Sequence, residues 1–237
     1  MKKMMVICFA IILAFTGGCS MNGSQNSKNG KQEEAVKPKD MDPKDLPQFP
    51  AFQDEKTREY MASTKEVEPG YYLLESKLKG FTMLFPEDGE YSDSQLTKEN
   101  ESLFFDSVDK KTNIVMNASI EFYRNESFID DPDTMLDIVR GENKYKGDFQ
   151  KLKSEGKNIY FASKKEFFNK ESSPSYIYLG YIKSTEQSYL GIAYSFMFSC
   201  SAKVETCNQE PDNYEKKVKK ILKSVTFNLD KGKENAE

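Results

Sequence analysis

An α+β domain, mostly antiparallel sheet with one mid-domain helix and one C-terminal helix, is predicted by three features of this 237-residue sequence. From about Tyr71 onward, short runs rich in β-branched and aromatic residues recur, parted by Gly, Pro, Asn and Ser turns. Two segments break that rhythm with helical spacing, one opening at Asp131-Pro132 and one running from about Pro211 to Lys223. The aliphatic content is modest, yet 17 Phe and 13 Tyr supply bulky core material. A purely antiparallel barrel with a helix plugging one end is the competing architecture.

The chain opens with Lys2 and Lys3, then an uncharged apolar run over 4–16. Such a run is too short to cross a bilayer core of about 30 Å and has the length of a signal-peptide h-region. Gly17, Gly18 and Cys19 follow directly. The stretch Phe15-Thr16-Gly17-Gly18-Cys19 resembles the lipobox of bacterial lipoproteins, with Thr16 where that family most often has Leu. The resemblance implies cleavage before Cys19 and a diacylglycerol on its thiol. Residues 1–18 are then a signal peptide, and the mature chain is held at the extracytoplasmic face of the cell membrane by lipid. Its 32 basic and 38 acidic groups leave a net charge of −6 once Lys2 and Lys3 are gone. That balance excludes the basic footprint of non-specific nucleic-acid binding and favours a domain standing off anionic lipid. Three Arg among 34 basic residues is a usage that resembles low-GC Gram-positive bacteria such as bacilli.

Residues 19–48 hold the lipidated Cys19 and a tether almost without large apolar groups, which reads as disordered. As a flexible coil of about 30 residues it would reach roughly 30 Å. Residues 49–69 read as a strap with a short helix over 51–64, whose Phe52, Tyr60 and Met61 could dock on the domain. The domain proper spans 70–228, and 229–237 is a polar tail expected to fray.

Within the domain, strands are predicted at 71–78 and 81–85, divided by Gly80 and stopped by Pro86. Others follow at 102–107 and 113–123, with period-2 alternation clearest at Ile114, Met116, Ala118, Ile120 and Phe122. Asp131 can cap a helix with Pro132 at its first position, Met135, Leu136, Ile138 and Val139 as its apolar face, and Gly141 near its end. Strands then recur at 148–154, 158–168, 175–183 and 188–198. In the last helix Tyr214, Val218, Ile221 and Leu222 form one buried stripe. Lys219, Lys220 and Lys223 crowd its final turns, where the helix dipole favours cations, and Ser224–Phe227 is a short closing strand.

This layout resembles the Mog1/PsbP-like sandwich. Members open with an aromatic strand ending in proline, here Phe81-Thr82-Met83-Leu84-Phe85-Pro86. They close with a helix running into a strand, here Ile221-Leu222-Lys223-Ser224-Val225-Thr226-Phe227. The resemblance covers about residues 70–228 as a pattern and implies a protein-binding or assembly module without a shared catalytic site.

The absence of His removes Ser-His-Asp and Cys-His nucleophiles and imidazole metal ligands together. Of the four Cys, Cys8 leaves with the signal and Cys19 is lipidated. Cys200 and Cys207 remain in an oxidising compartment and read as a disulfide, presenting Lys203 and Glu205 on a pinned loop. Two acidic clusters, Glu87-Asp88-Gly89-Glu90 with Asp93 and Asp130-Asp131-Pro132-Asp133, lack the spacing of a calcium loop, and the second is explained by helix capping. No metal or cofactor is called for. Tyr176, Tyr178 and Tyr181 form a candidate ligand or partner face, set against the alternative of half-buried sheet packing. The expected function is a membrane-anchored, non-enzymatic accessory or binding module for an envelope complex or surface-linked community behaviour. A binder of wall glycan or small ligands is the alternative, and a wall hydrolase using paired carboxylates is the third reading.

Overall fold

The computed structural model describes residues 36–168, 173–201 and 207–228, all within one unit spanning Ala35–Glu237. The small sheet has the order β1 (Met61–Glu68), β2 (Tyr71–Glu75), β3 (Phe81–Pro86) and β11 (Thr226–Phe227). The large sheet runs β4 (Gly89–Leu96), β5 (Asn100–Asp109), β6 (Ile114–Arg124), β10 (Leu190–Cys200), β9 (Ser175–Ser184), β8 (Lys157–Glu166) and β7 (Gln150–Ser154). Every pairing is antiparallel. Helices α1 (Pro50–Gln53), α2 (Glu55–Arg58), α3 (Pro132–Asn143) and α4 (Pro211–Ser224), with short 3-10 turns at Pro38–Asp40, Pro43–Asp45 and Ser127–Asp130, complete the described elements. The large sheet ends at β4 and β7, which do not pair with each other, so the architecture is an α+β sandwich and not the alternative barrel.

The small sheet and α4 cover one face of the large sheet. Met83 and Phe85 of β3, Phe105 of β5, Phe196 of β10 and Val218 of α4 all belong to one buried cluster. The alternation predicted for β6 holds, with Ile114, Met116, Ala118, Ile120 and Phe122 all pointing into this core. The opposite face is covered only in part, by α3 and the turn before it, through a second cluster of Ile129, Met135, Leu136 and Val139 against Ile177, Leu179 and Tyr181. Strand β9 is therefore buried on both faces, which explains why SYIYLGYIK carries apolar groups without alternation. At Gly180 a Cβ would lie 1.8 Å from the Tyr160 carbonyl oxygen, the same oxygen that accepts the Tyr194 hydroxyl at 2.8 Å. Glycine there lets a fully buried phenol find its partner.

Helix α3 starts as expected, with Asp131 accepting from the Asp133 N–H and Pro132 at the first position. It runs past Gly141 to Asn143 and stops at Lys144, which adopts a left-handed cap at φ 49°. Helix α4 buries its stripe of Tyr214, Val218, Ile221 and Leu222. The Ser224 hydroxyl then accepts the Leu84 N–H at 2.8 Å, tying the helix end to β3.

The N-terminal part departs most from expectation. The chain from Pro38 lies on the domain, with Pro38 and Leu46 buried and turns at Pro38–Asp40 and Pro43–Asp45. The strap holds two single-turn helices instead of one helix over 51–64, and from Met61 it becomes β1. Phe52, Tyr60 and Met61 are 0%, 2% and 2% exposed, so the strap is part of the core. Strand β4 also escaped the sequence reading, because its burial is sparse and its residues look like an acidic loop.

Glu101, 1% exposed, accepts the Lys77 and Leu78 N–H groups at 2.9 and 3.0 Å. A buried carboxylate needs such donors, and here they fix the β2–β3 turn against the start of β5. Replacing Phe52 with Ala is expected to cost about 3–5 kcal/mol in denaturant unfolding while leaving a single transition. A loss under about 1 kcal/mol would show that the strap is peripheral.

Candidate functional site

The tyrosine face expected from sequence does not exist as one surface. Tyr178 is 3% exposed, points into the main core and donates to the Pro211 carbonyl at 2.8 Å. Tyr181 is 0% exposed, points to the opposite side and donates to the Ile129 carbonyl at 2.7 Å. Tyr176 is half-buried against Tyr214 and Lys165. Both covered faces of β9 consume these side chains in packing, and a row of stacking platforms is excluded.

Neither acidic cluster gathers as a metal site among the described residues. Asp130 pairs with Lys183 at 2.5 Å and accepts the Tyr189 N–H, and Asp131 caps α3. Glu142 and Glu121 are neighbours on the α3 side, where partial burial and then the Glu121 charge push the Glu142 carboxyl up. Glu142 is exposed, and Glu121 accepts the Tyr123 hydroxyl at 2.6 Å. Cys19, Lys203 and Glu205 lie outside the described residues. Cys200 and Cys207 are bridged, joining the end of β10 to the approach to α4.

Beside that bridge is a cavity of about 180 Å³ between the ends of β5, β6 and β10 and the first turns of α4. Its floor is apolar, built from Ile114, Met116, Phe198 and Tyr214. The period-2 faces of β6 and β10 supply three of these side chains, and the Tyr214 ring stacks on Phe198 at 4.5 Å. One wall carries Lys217, which the helical period places one turn beyond Tyr214 and beside the buried Val218. Its Nζ donates to the Ser107 hydroxyl at 3.3 Å, and that hydroxyl donates to Asp88 at 2.8 Å.

Burial strips water from the Lys217 ammonium and pushes its pKa down, an effect that Asp88 and Asp109 offset only in part. Across the mouth stand Asp109, Asn208, Glu210 and Asn213. Partial burial works against the Asp109 charge. Hydrogen bonds from the Thr112 side chain and the Lys111 and Thr112 N–H groups, with Lys217 nearby, still hold its carboxyl below the usual range. Both Asn208 and Asn213 donate to Glu210. The site thus combines one partly desolvated cation, an apolar floor and an anionic mouth.

Through Asp109 the cavity adjoins an open groove of about 660 Å³ whose far side is Phe49 and Pro50. The same end of the large sheet bears Phe167 and Phe168, 56% and 66% exposed, just beyond β8. From sequence, Ile114, Met116 and Tyr214 read only as core, and Lys217, Asp109 and the Phe167-Phe168 pair are not singled out. Lys217 lies between Tyr214 and Val218 in a lysine-rich helix, and nothing local separates it from its solvated neighbours.

Replacing Lys217 with Met keeps the stem volume and removes the desolvated charge, leaving the Ser107–Asp88 bond in place. A lysine held below its ordinary value in the fold weakens the native state at neutral pH, and that penalty fades as pH rises toward the unfolded value. Lys217→Met is therefore expected to raise the thermal midpoint at pH 7, with the gap narrowing by pH 10. Loss of the bridge in Cys200→Ala/Cys207→Ala is expected to cost about 2–3 kcal/mol, read from denaturant midpoints.

Residues 47–226 match a family model described as "Putative lipoprotein YvcA". A protein of Bacillus subtilis strain 168 with the same description is 54% identical over 238 residues, covering 98% of this chain and 99% of the relative. Neither description names an activity. A crystal structure from Bacteroides thetaiotaomicron overlaps with a TM-score of 0.41 at 14% identity over 68% of this chain, which spans 50% of that protein.

Proposed function

The chain belongs to the YvcA family of Bacillus-type lipoproteins with a Mog1-like domain, and on that premise we propose that it is a non-enzymatic binding module, anchored at Cys19 and presenting one end of its sandwich to an envelope partner. The observation that carries this reading is the separation of two ends. The described chain enters beside the β2–β3 turn, where Lys37 pairs with Glu75 at 2.6 Å, and that turn is bonded to Glu101 at the start of β5. The cavity opens at the other end of β5, by Ser107 and Asp109. Nine steps of strand separate Asn100 from Asp109, about 30 Å.

From Cys19 to Val36 the chain can span at most about 60 Å. A lipid anchor would act on the Lys37 end, and the cavity, the Phe49 groove and the exposed Phe167-Phe168 pair lie at the end remote from that attachment. Among the described residues no helix is long and apolar enough to cross a bilayer. Exposed aromatics at a loop end suit a protein partner, since such side chains anchor interfaces at low entropic cost. Charge supports the same orientation, because the mature net charge of −6 opposes laying the domain flat on anionic lipid.

A photo-crosslinking residue placed at Phe168 on intact cells is expected to capture a recurring envelope protein, and one placed at Lys79 to capture none. Equal capture from both positions, or turnover of a wall polymer by the purified protein, would overturn this reading. Cys19→Ser is expected to move the protein from the membrane fraction to the soluble one.

A further inference from the structure

We infer that the Lys217 cavity is a binding site for a small α-amino acid zwitterion with a compact apolar side chain. The inference deepens the binding-module reading and borrows from it only the outward direction of this end. Lys217 projects its ammonium from the wall of a cavity whose floor is Ile114, Met116, Phe198 and the Tyr214 ring. Among the described residues that ammonium makes one hydrogen bond, to Ser107, and no ion pair with a carboxylate. A carboxylate entering the cavity would meet a cation already partly stripped of water, where a charged hydrogen bond is stronger than in bulk solvent.

The mouth selects among anions. Asp109 and Glu210 face the entrance, and hydrogen bonds to Asp109 keep it ionised. Phosphates and dicarboxylates are repelled there, whereas a ligand carrying its own ammonium beside its carboxylate satisfies Lys217 and the mouth together. The cavity's roughly 180 Å³ is below the ordinary range for drug-sized ligands and suits a branched aliphatic side chain on the apolar floor. Retaining a lysine that burial disfavours is the pattern of a site that trades stability for recognition.

Calorimetric titration of the full-length protein in detergent micelles tests this with valine and two truncations of it, isovalerate without the amine and isobutylamine without the carboxylate. Valine is expected to bind with Kd below about 1 mM, and each truncation at least about tenfold more weakly, one charged contact's worth. Lys217→Met is expected to abolish valine binding with the thermal midpoint kept or raised, which separates loss of the site from loss of fold. Asp109→Asn is expected to bring valine down to the affinity of isovalerate. Isovalerate binding as tightly as valine would overturn the zwitterion assignment. So would unchanged valine affinity in Lys217→Met, or no heat from any of the three at 10-fold above about 1 mM. Absence of valine binding alongside continued crosslinking from Phe168 would sink this inference alone. Loss of crosslinking with valine binding intact would sink the partner reading alone.

Discussion

Among the described residues, rings make up 14 of the 32 buried residues of the main core, and much of the rest of the molecule follows from how those rings are spent. Phe85 packs on Phe105 at 4.8 Å, Phe81 on Phe122 at 5.4 Å and Phe198 on Tyr214 at 4.5 Å. Such contacts bury large areas per residue, so a chain without Trp and with few aliphatics can still hold a sandwich together. They also set the spacing of the layers, because a ring cannot be accommodated by small shifts as a methyl group can. Even the strap is recruited, with Phe52 meeting Tyr72 edge-on at 4.7 Å.

The filling stops at one end. Beyond the Phe198–Tyr214 stack the next side chains inward are Ser107 and Lys217, and the layer closes on polar groups instead of rings. Here the bridge between Cys200 and Cys207 holds the chain between β10 and α4 where packing no longer does. At the opposite end a buried carboxylate, Glu101, closes the layer by accepting backbone N–H groups. One end is satisfied internally and lies beside the start of the described chain. The other keeps a partly desolvated ammonium hydrogen-bonded to Ser107.

Much of this was legible in the residues. Apolar and aromatic runs located β5, β6 and β8 to β10 to within two residues at each end, with β6 marked out by the alternation that one covered face produces. The capping pair Asp131-Pro132 and the stripe of α4 were equally local. Two strands were missed for opposite reasons. β1 is preceded by two helical turns whose composition continues through Met61, and β4 is an edge strand with so few buried residues that no pattern survives. The tyrosines of β9 were misplaced because the sequence shows alternation only when one face is wet, and α3 makes the second face dry.

The lipobox-like run before Cys19, the order and type of most elements, and the pairing available to Cys200 and Cys207 are readable from the residues alone. Each depends on neighbours within a few positions, where composition and periodicity act directly. Which tyrosines are consumed, that Pro38 and Leu46 are buried against the domain, and that Lys217 faces the cavity floored by Phe198 and Tyr214 came from the tertiary structure. Those outcomes depend on which surfaces residues distant in the chain bring together. Burial, and with it the cost of a charge, is a property of the assembled layers and not of any segment.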